Sequence, residues 1–136
     1  MRAIRYQAAG GVVVDGDKVL VLRRPSRDEV RLPKGHTKKG ESRVETALRE
    51  VTEESGYADL KVEAYLGHQV VEFDYQGVHI VRDEHYYRMR LLSDRRAERE
   101  GHEFQFIPTW VDWDEASEEL TYEPEREWIQ RAREKV

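Results

Sequence analysis

Apolar positions run from Ala8 to Val14 and again from Lys18 to Leu22, parted by Asp15-Gly16-Asp17. Two β-branched-rich runs around an Asp-Gly turn predict a hairpin. From Arg23 to Gly40 the chain is charged, holds Pro25 and Pro33 and keeps no apolar period, which predicts a loop. Ser42-Arg-Val-Glu45 then reads as a capping box, opening a helix to about Ser55 with Gly56 as its stop. Lys61 to Phe73 reads as a long strand, Tyr75-Gln76-Gly77 as a turn, and Val78 to Val81 and Glu84 to Leu92 as strands or as one strand interrupted at Arg82-Asp83. In the last of these, His85, Tyr87, Met89 and Leu91 share one face, opposite Glu84, Tyr86, Arg88 and Arg90. After a charged loop from Asp94 to Gly101, Phe104 to Trp113 is expected as a strand. Asp112-Trp-Asp-Glu115 would cap a short helix to Leu120, and Pro124 opens a last helix ending near Lys135. The order β, β, α, several β, α, α predicts an α/β fold, a mixed sheet with helices on its faces.

The first helix carries the most telling chemistry. At roughly 100° per residue, Glu50, Glu53 and Glu54 occupy one flank, while Val44, Ala47, Leu48 and Val51 occupy the flank beside it. Clustered carboxylates repel, so at neutral pH one of them protonates unless a cation joins them. Oxygen-only donors suit Mg²⁺ or Mn²⁺ rather than zinc, and such an ion leaves positions open for phosphate oxygens. A helix with its glutamates simply in water is the ordinary alternative.

Composition narrows the field. A chain of 136 residues without a Pro- or Ser-rich linker is expected to form one domain. The absence of cysteine excludes disulfides, thiolate nucleophiles and Cys-ligated zinc. No run suits a signal peptide or a membrane span, so a cytoplasmic protein that does not engage membranes is expected. The net charge of −5 hides a local reversal, with eight Lys or Arg against three acids between Arg23 and Arg43. A basic loop on an acidic body suits contact with a small phosphorylated ligand rather than a nucleic-acid tract, whose binders spread positive charge over a face.

Gly35, Glu41, Arg49-Glu50-Val51, Glu53-Glu54 and Gly56-Tyr57 are spaced as in the Nudix box, with only its closing aliphatic replaced, by Tyr57. The seven fixed identities would coincide in a chain of this composition with a probability on the order of 10⁻⁵, so the chain resembles a Nudix hydrolase. The resemblance implies a Nudix-type α/β/α sandwich and hydrolysis of a phosphoanhydride by water. It implies that Glu50, Glu53 and Glu54 hold Mg²⁺ (or Mn²⁺), and that Gly35 adds a main-chain carbonyl and allows a tight turn. Arg49 would orient the carboxylates and Glu41 would brace the loop against the helix. The proton of the attacking water would pass to Glu53 as first choice, with Glu100 and Glu103 as downstream candidates.

Leu32-Pro33-Lys34-Gly35-His36 resembles the branches acting on dinucleoside polyphosphates and inositol pyrophosphates. Lys34 and His36 are the expected substrate contacts there, with Arg23 as a further phosphate contact. Tyr75, eighteen positions beyond Tyr57, matches a tyrosine of the dinucleoside polyphosphate branch and would stack on a base. A diadenosine polyphosphate is therefore the first expectation. An inositol pyrophosphate, a nucleoside triphosphate or a nucleotide sugar stands second, and a non-catalytic nucleotide sensor on the same fold third. A monomer or a homodimer fits equally.

Overall fold

Both faces of the central sheet are covered, which explains why residues 8–14 and 19–22 are unbroken apolar runs rather than alternating ones. The computed structural model describes residues 2–135. Strand β1 (Arg2–Asp15) and β2 (Lys18–Arg24) meet at the Asp15-Gly16-Asp17 turn, but only Val14↔Val19 and Asp15↔Lys18 are paired. The two strands then part. β1 runs parallel to β6 (Val78–Leu91) over its whole length, and β6 pairs antiparallel with β5 (Leu60–Tyr75). β2 takes β3 (Glu29–Arg31) on one edge and β7 (Ile107–Asp112) on the other. The short β4 (Lys34–His36) lies against β1, Gly10 opposite Lys34 and Ala9 opposite Gly35. The parallel β1–β6 pair makes the sheet mixed.

Helix α1 (Arg43–Ser55) covers one face, where Ala47 and Val51 pack with Ala9, Val13, Leu20, Tyr57 and Met89. Helices α2 (Trp113–Glu119) and α3 (Glu123–Glu134) cover the other. There Trp128 stacks on Tyr86 at 5.1 Å between ring centroids, within a cluster that includes Val12, Val21, Leu66 and Ile129. No helix among the described residues is long and apolar enough to cross a membrane.

The start of α1 is built as a capping box. Ser42 Oγ accepts the Glu45 N–H at 3.2 Å, and Glu45 Oε1 accepts the Ser42 N–H at 2.9 Å. Gly56, at φ 88°, closes the helix in the left-handed conformation that costs other residues dearly.

The structure departs from the sequence expectations in four places. The Arg23–Gly40 segment is not loop throughout, since β3 and β4 are recruited by ladder partners far away in sequence. β1 begins at Arg2 rather than Ala8, its charged start held by the parallel partner β6. β6 continues through Arg82-Asp83, because both residues find acceptors or donors there: Arg82 bonds Glu84, and Asp83 accepts from Arg5 at 2.8 Å. Residues Gly101–Gln105 form a 3₁₀ turn, and Trp113 opens α2 instead of ending a strand.

Candidate active site

Arg49 is the hub of the box residues. Its Nε donates to Glu41 Oε2 at 2.7 Å and its Nη2 to the His36 carbonyl at 2.8 Å. Its Nη1 reaches Glu50 Oε1 at 2.6 Å and Glu53 Oε2 at 3.1 Å. Glu41 also accepts the Lys38 N–H at 3.0 Å and the Thr46 hydroxyl at 2.7 Å, tying the preceding loop to α1. The Arg49 contact, with these bonds, holds the Glu41 carboxyl down at about 2. Glu50, on the contrary, is pushed up by burial, only partly offset by Arg49.

At Gly35 the β4 backbone runs against the Glu50 side chain of α1. A Cβ there would lie 2.2 Å from Glu50 Cδ, so the glycine makes room for the carboxylate itself. One turn later Glu54, buried, accepts the Lys34 N–H at 2.8 Å and pairs with Arg31 at 3.1 Å. Desolvation raises its carboxyl to about 7 despite Arg31. The same burial lowers the Lys34 ammonium, helped by neighbouring Arg31.

These groups wall a cavity of about 420 Å³. Glu50 and Glu54 from the helix line it together with Lys34, Arg31, Arg24 and Arg82 from the strands, Arg31 being paired with Glu54. Glu103 enters from the 3₁₀ turn, buried and paired with His102 at 2.8 Å. Arg99 fixes that turn against α1, its Nη1 donating to the Glu54, Glu103 and Phe106 carbonyls at 3.0 to 3.1 Å. Acids and cations lining one cavity suit a polyanion bridged to carboxylates by a cation.

The expected site residues are distributed as follows. Gly35, Glu50, Glu54, Lys34 and His36 line the cavity. His36 also lies against Tyr6 at 3.8 Å between centroids, and burial together with Arg82 lowers its pKa. Glu53 sits on the outer flank of α1, its side chain 38% exposed and its carboxylate on Arg49. Glu100 precedes the 3₁₀ turn and is exposed. Arg23 is not brought to the cavity. It shares its strand face with Val19 and Val21 and pairs with Glu119 of α2 at 2.7 Å, while Arg24, of opposite parity, lines the cavity. Alternation along β2 was the signal that separates them. Arg31 and Arg82 are further cavity cations that no motif singled out.

The expected convergence of three carboxylates is not seen: among the described residues, no three His, Asp or Glu side chains are arranged to hold a metal ion. Two arginines divide the acids, Arg49 taking Glu50 and Glu53, and Arg31 taking Glu54.

A second cavity, of about 540 Å³, adjoins the first and shares Arg24, Arg31, Lys34 and Arg82 with it. Tyr75, 60% exposed, stands at its rim. Deeper in, Glu125 of α3 accepts the Leu32 N–H at 3.2 Å, and desolvation raises its carboxyl to about 7 in spite of Lys34 and Arg31. A carboxyl raised in the folded state favours folding when protonated. Stability is therefore expected to fall as pH rises from the unfolded value near 4.5 through 7. Glu125→Gln keeps an acceptor for Leu32 and removes this dependence. Urea unfolding at pH 5 and pH 8.5 checks it: the wild type should lose on the order of 3 kcal/mol relative to the variant across that interval. Parallel curves would overturn the assignment.

Comparison with known proteins adds to this geometry. The family model for the NUDIX domain matches residues 5–132. A Mycobacterium tuberculosis protein, named as a candidate mutator protein, MutT4, is 32% identical over 93% of this chain. The chain spans about half of that relative, 54% of its length. Among solved structures, an Ap4A hydrolase from C. elegans superposes with a TM-score of 0.66 at 19% identity, covering 94% of this chain and 96% of that one. The dihydroneopterin triphosphate pyrophosphohydrolase of E. coli gives 0.67 at 21% identity, covering 92% of each chain. At such identities the two structures speak for the fold alone.

Proposed function

This chain belongs to the Nudix hydrolase family, and from that premise we propose that it hydrolyses a phosphoanhydride of a nucleoside polyphosphate, a diadenosine polyphosphate being the substrate put first. The observation that carries this reading is the pair of adjoining cavities that share four cations, Arg24, Arg31, Lys34 and Arg82. A row of cations shared by two compartments suits a chain of several phosphates with a group at its far end. Tyr75 at the rim of the second cavity supports a nucleoside as that group.

The donor set fits a hard cation. Glu50 and Glu53 both reach one nitrogen of Arg49, within 3.1 Å, so their oxygens can approach a common centre, and the carboxylates offer oxygen alone. Glu50 and Glu53 are the residues that would hold Mg²⁺ or Mn²⁺, with Glu54, drawn to Arg31 in this structure, as a further oxygen donor. When bound, the ion supplies positive charge to the non-bridging phosphate oxygens and acidifies water.

The chain's own groups do the rest. Lys34, Arg31 and Arg82 orient the phosphates and offset the charge that builds on them. Glu103 serves as the base ahead of Glu53, a reading supported by its burial in the cavity lining while the Glu53 carboxylate is engaged by Arg49. It takes the proton of the attacking water as the new P–O bond forms, and the bridging P–O bond breaks to leave a phosphate anion.

Incubation with Mg²⁺ and a panel of diadenosine polyphosphates, nucleoside triphosphates, nucleotide sugars and inositol pyrophosphates, resolved by chromatography, tests the reading. Release of ATP from a diadenosine polyphosphate is expected. Turnover confined to other members of the panel overturns the substrate; turnover of none overturns the enzyme.

A further inference from the structure

The second cavity contains an unusual pair of polar atoms. Arg24 Nε and Glu29 Oε1 are both buried and both lack any hydrogen-bond partner among the described residues. They belong to residues directly opposite each other on the β2–β3 ladder, and both line the cavity. Opposed Arg and Glu side chains in that register lie close enough to pair. These two are held apart instead: the Arg24 guanidinium lies over the Phe106 ring at 5.6 Å, and the other oxygen of Glu29 accepts the Tyr122 hydroxyl. Buried groups left unsatisfied are costly, and a carboxylate more so. A ligand that presents an acceptor to Arg24 and a donor to Glu29 removes both costs at once.

We propose that the second cavity seats the nucleobase of the substrate, with Glu29 accepting a hydrogen bond from an N–H of the base and Arg24 donating to the phosphate beside it. The inference rests on the phosphohydrolase reading above and deepens it by naming a specificity residue. The cavity walls agree with a flat heterocycle. Val71, Phe73, Pro124 and the rings of Tyr75 and Tyr122 supply apolar surface, with the Arg82 guanidinium over the Phe73 ring at 5.2 Å. A ring carrying phosphates on every carbon would leave that surface facing charge. Tyr122 also fixes which oxygen is free: with Oε2 occupied, Oε1 is the atom left without a partner, buried in the cavity wall, and a small turn of the side chain brings it to the ligand.

The discriminating variant is Glu29→Gln. Tyr122 would hold the amide oxygen, leaving the NH₂ group to face the cavity, so that a donor meets a donor. Calorimetry with Mg²⁺ present would compare methylene-bridged nucleoside triphosphates, which resist cleavage, with inorganic tripolyphosphate as the probe lacking a base. In the wild type at least one nucleotide should bind tenfold or more tightly than tripolyphosphate. In Glu29→Gln that preference should shrink at least tenfold, with tripolyphosphate binding within twofold of wild type. Should that variant not fold, Tyr122→Phe, which frees the carboxylate to rotate, should reduce the same preference.

Equal binding of nucleotides and tripolyphosphate by the wild type would overturn the base seat, as would an unchanged preference in the variants. Inositol hexakisphosphate competing better than any nucleotide would do the same and assign the cavity to a phosphorylated polyol. Failure of every ligand, tripolyphosphate included, would overturn the phosphohydrolase reading along with it.

Discussion

Glu50→Gln is expected to lower kcat by about 10²–10⁴-fold, or roughly 3–5 kcal/mol of barrier, on whichever member of the substrate panel turns over. The substitution keeps the size of the side chain and an oxygen to accept from Arg49 Nη1, now at 2.6 Å from the carboxylate. What it removes is the negative charge. Burial already disfavours that charge, as its raised pKa shows, so the folded protein carries a cost that serves no packing purpose. Stability should therefore hold or rise slightly while turnover collapses, the trade-off expected where function maintains a strained arrangement. The measurement is kcat with Mg²⁺ beside a thermal unfolding curve. A variant within threefold of wild-type kcat would remove Glu50 from the reaction.

Gly35→Ala is the second large effect, and it should separate activity from folding. Nothing in the glycine's own conformation forbids a side chain, since its φ is not positive. The obstacle is the Glu50 carboxylate, with Cδ at 2.2 Å and Oε2 at 2.3 Å from the new Cβ. The far end of a glutamate can move, so the β4–β1 ladder stays and the carboxylate leaves its place. A displacement of about 1 Å at a reacting site costs on the order of 10²-fold in rate, with little change in melting temperature. Gly10→Ala is the contrasting case. Its Cβ would meet the Pro33 carbonyl oxygen at 2.3 Å and Lys34 Cβ at 2.6 Å, and a backbone does not swing aside as a carboxylate does. That variant should lose about 1–3 kcal/mol of stability as well as activity. If Gly35→Ala unfolds as readily as Gly10→Ala, or retains full turnover, the glycine is not there for the carboxylate.

Much of the helix-borne site could be read along the chain. Ser42 and Glu45 bracket the start of α1, Gly56 ends it, and the wheel positions of Glu50, Glu53 and Glu54 follow from helical geometry alone. The cavity's cations were less legible. Arg24 was hidden beside Arg23 because strand parity matters only once the partner surfaces are known, and Arg23 turned out to face Glu119 on α2. Arg82 sat in a dipeptide that reads as a strand break until β1 and β5 hold it in the ladder. Glu103 was one of two downstream acids, with Glu100, until Arg99 pinned its turn against α1.

Local order decided by neighbours three or four residues apart belongs to the sequence itself: the capped helix, the Asp-Gly turn and the spacing of the acids. The Arg49–Glu53 pair, four residues apart on α1, is local in the same way. Tertiary structure alone gave Glu54 to Arg31, because that pairing depends on how β3 lies against α1. It also decided that Arg24 and Glu29, opposite in register, remain unpaired, since Phe106 and Tyr122 arrive from segments about 80 to 90 residues further on. Interactions over such separations leave no periodic trace along the chain, and they are where this site acquires its electrostatics.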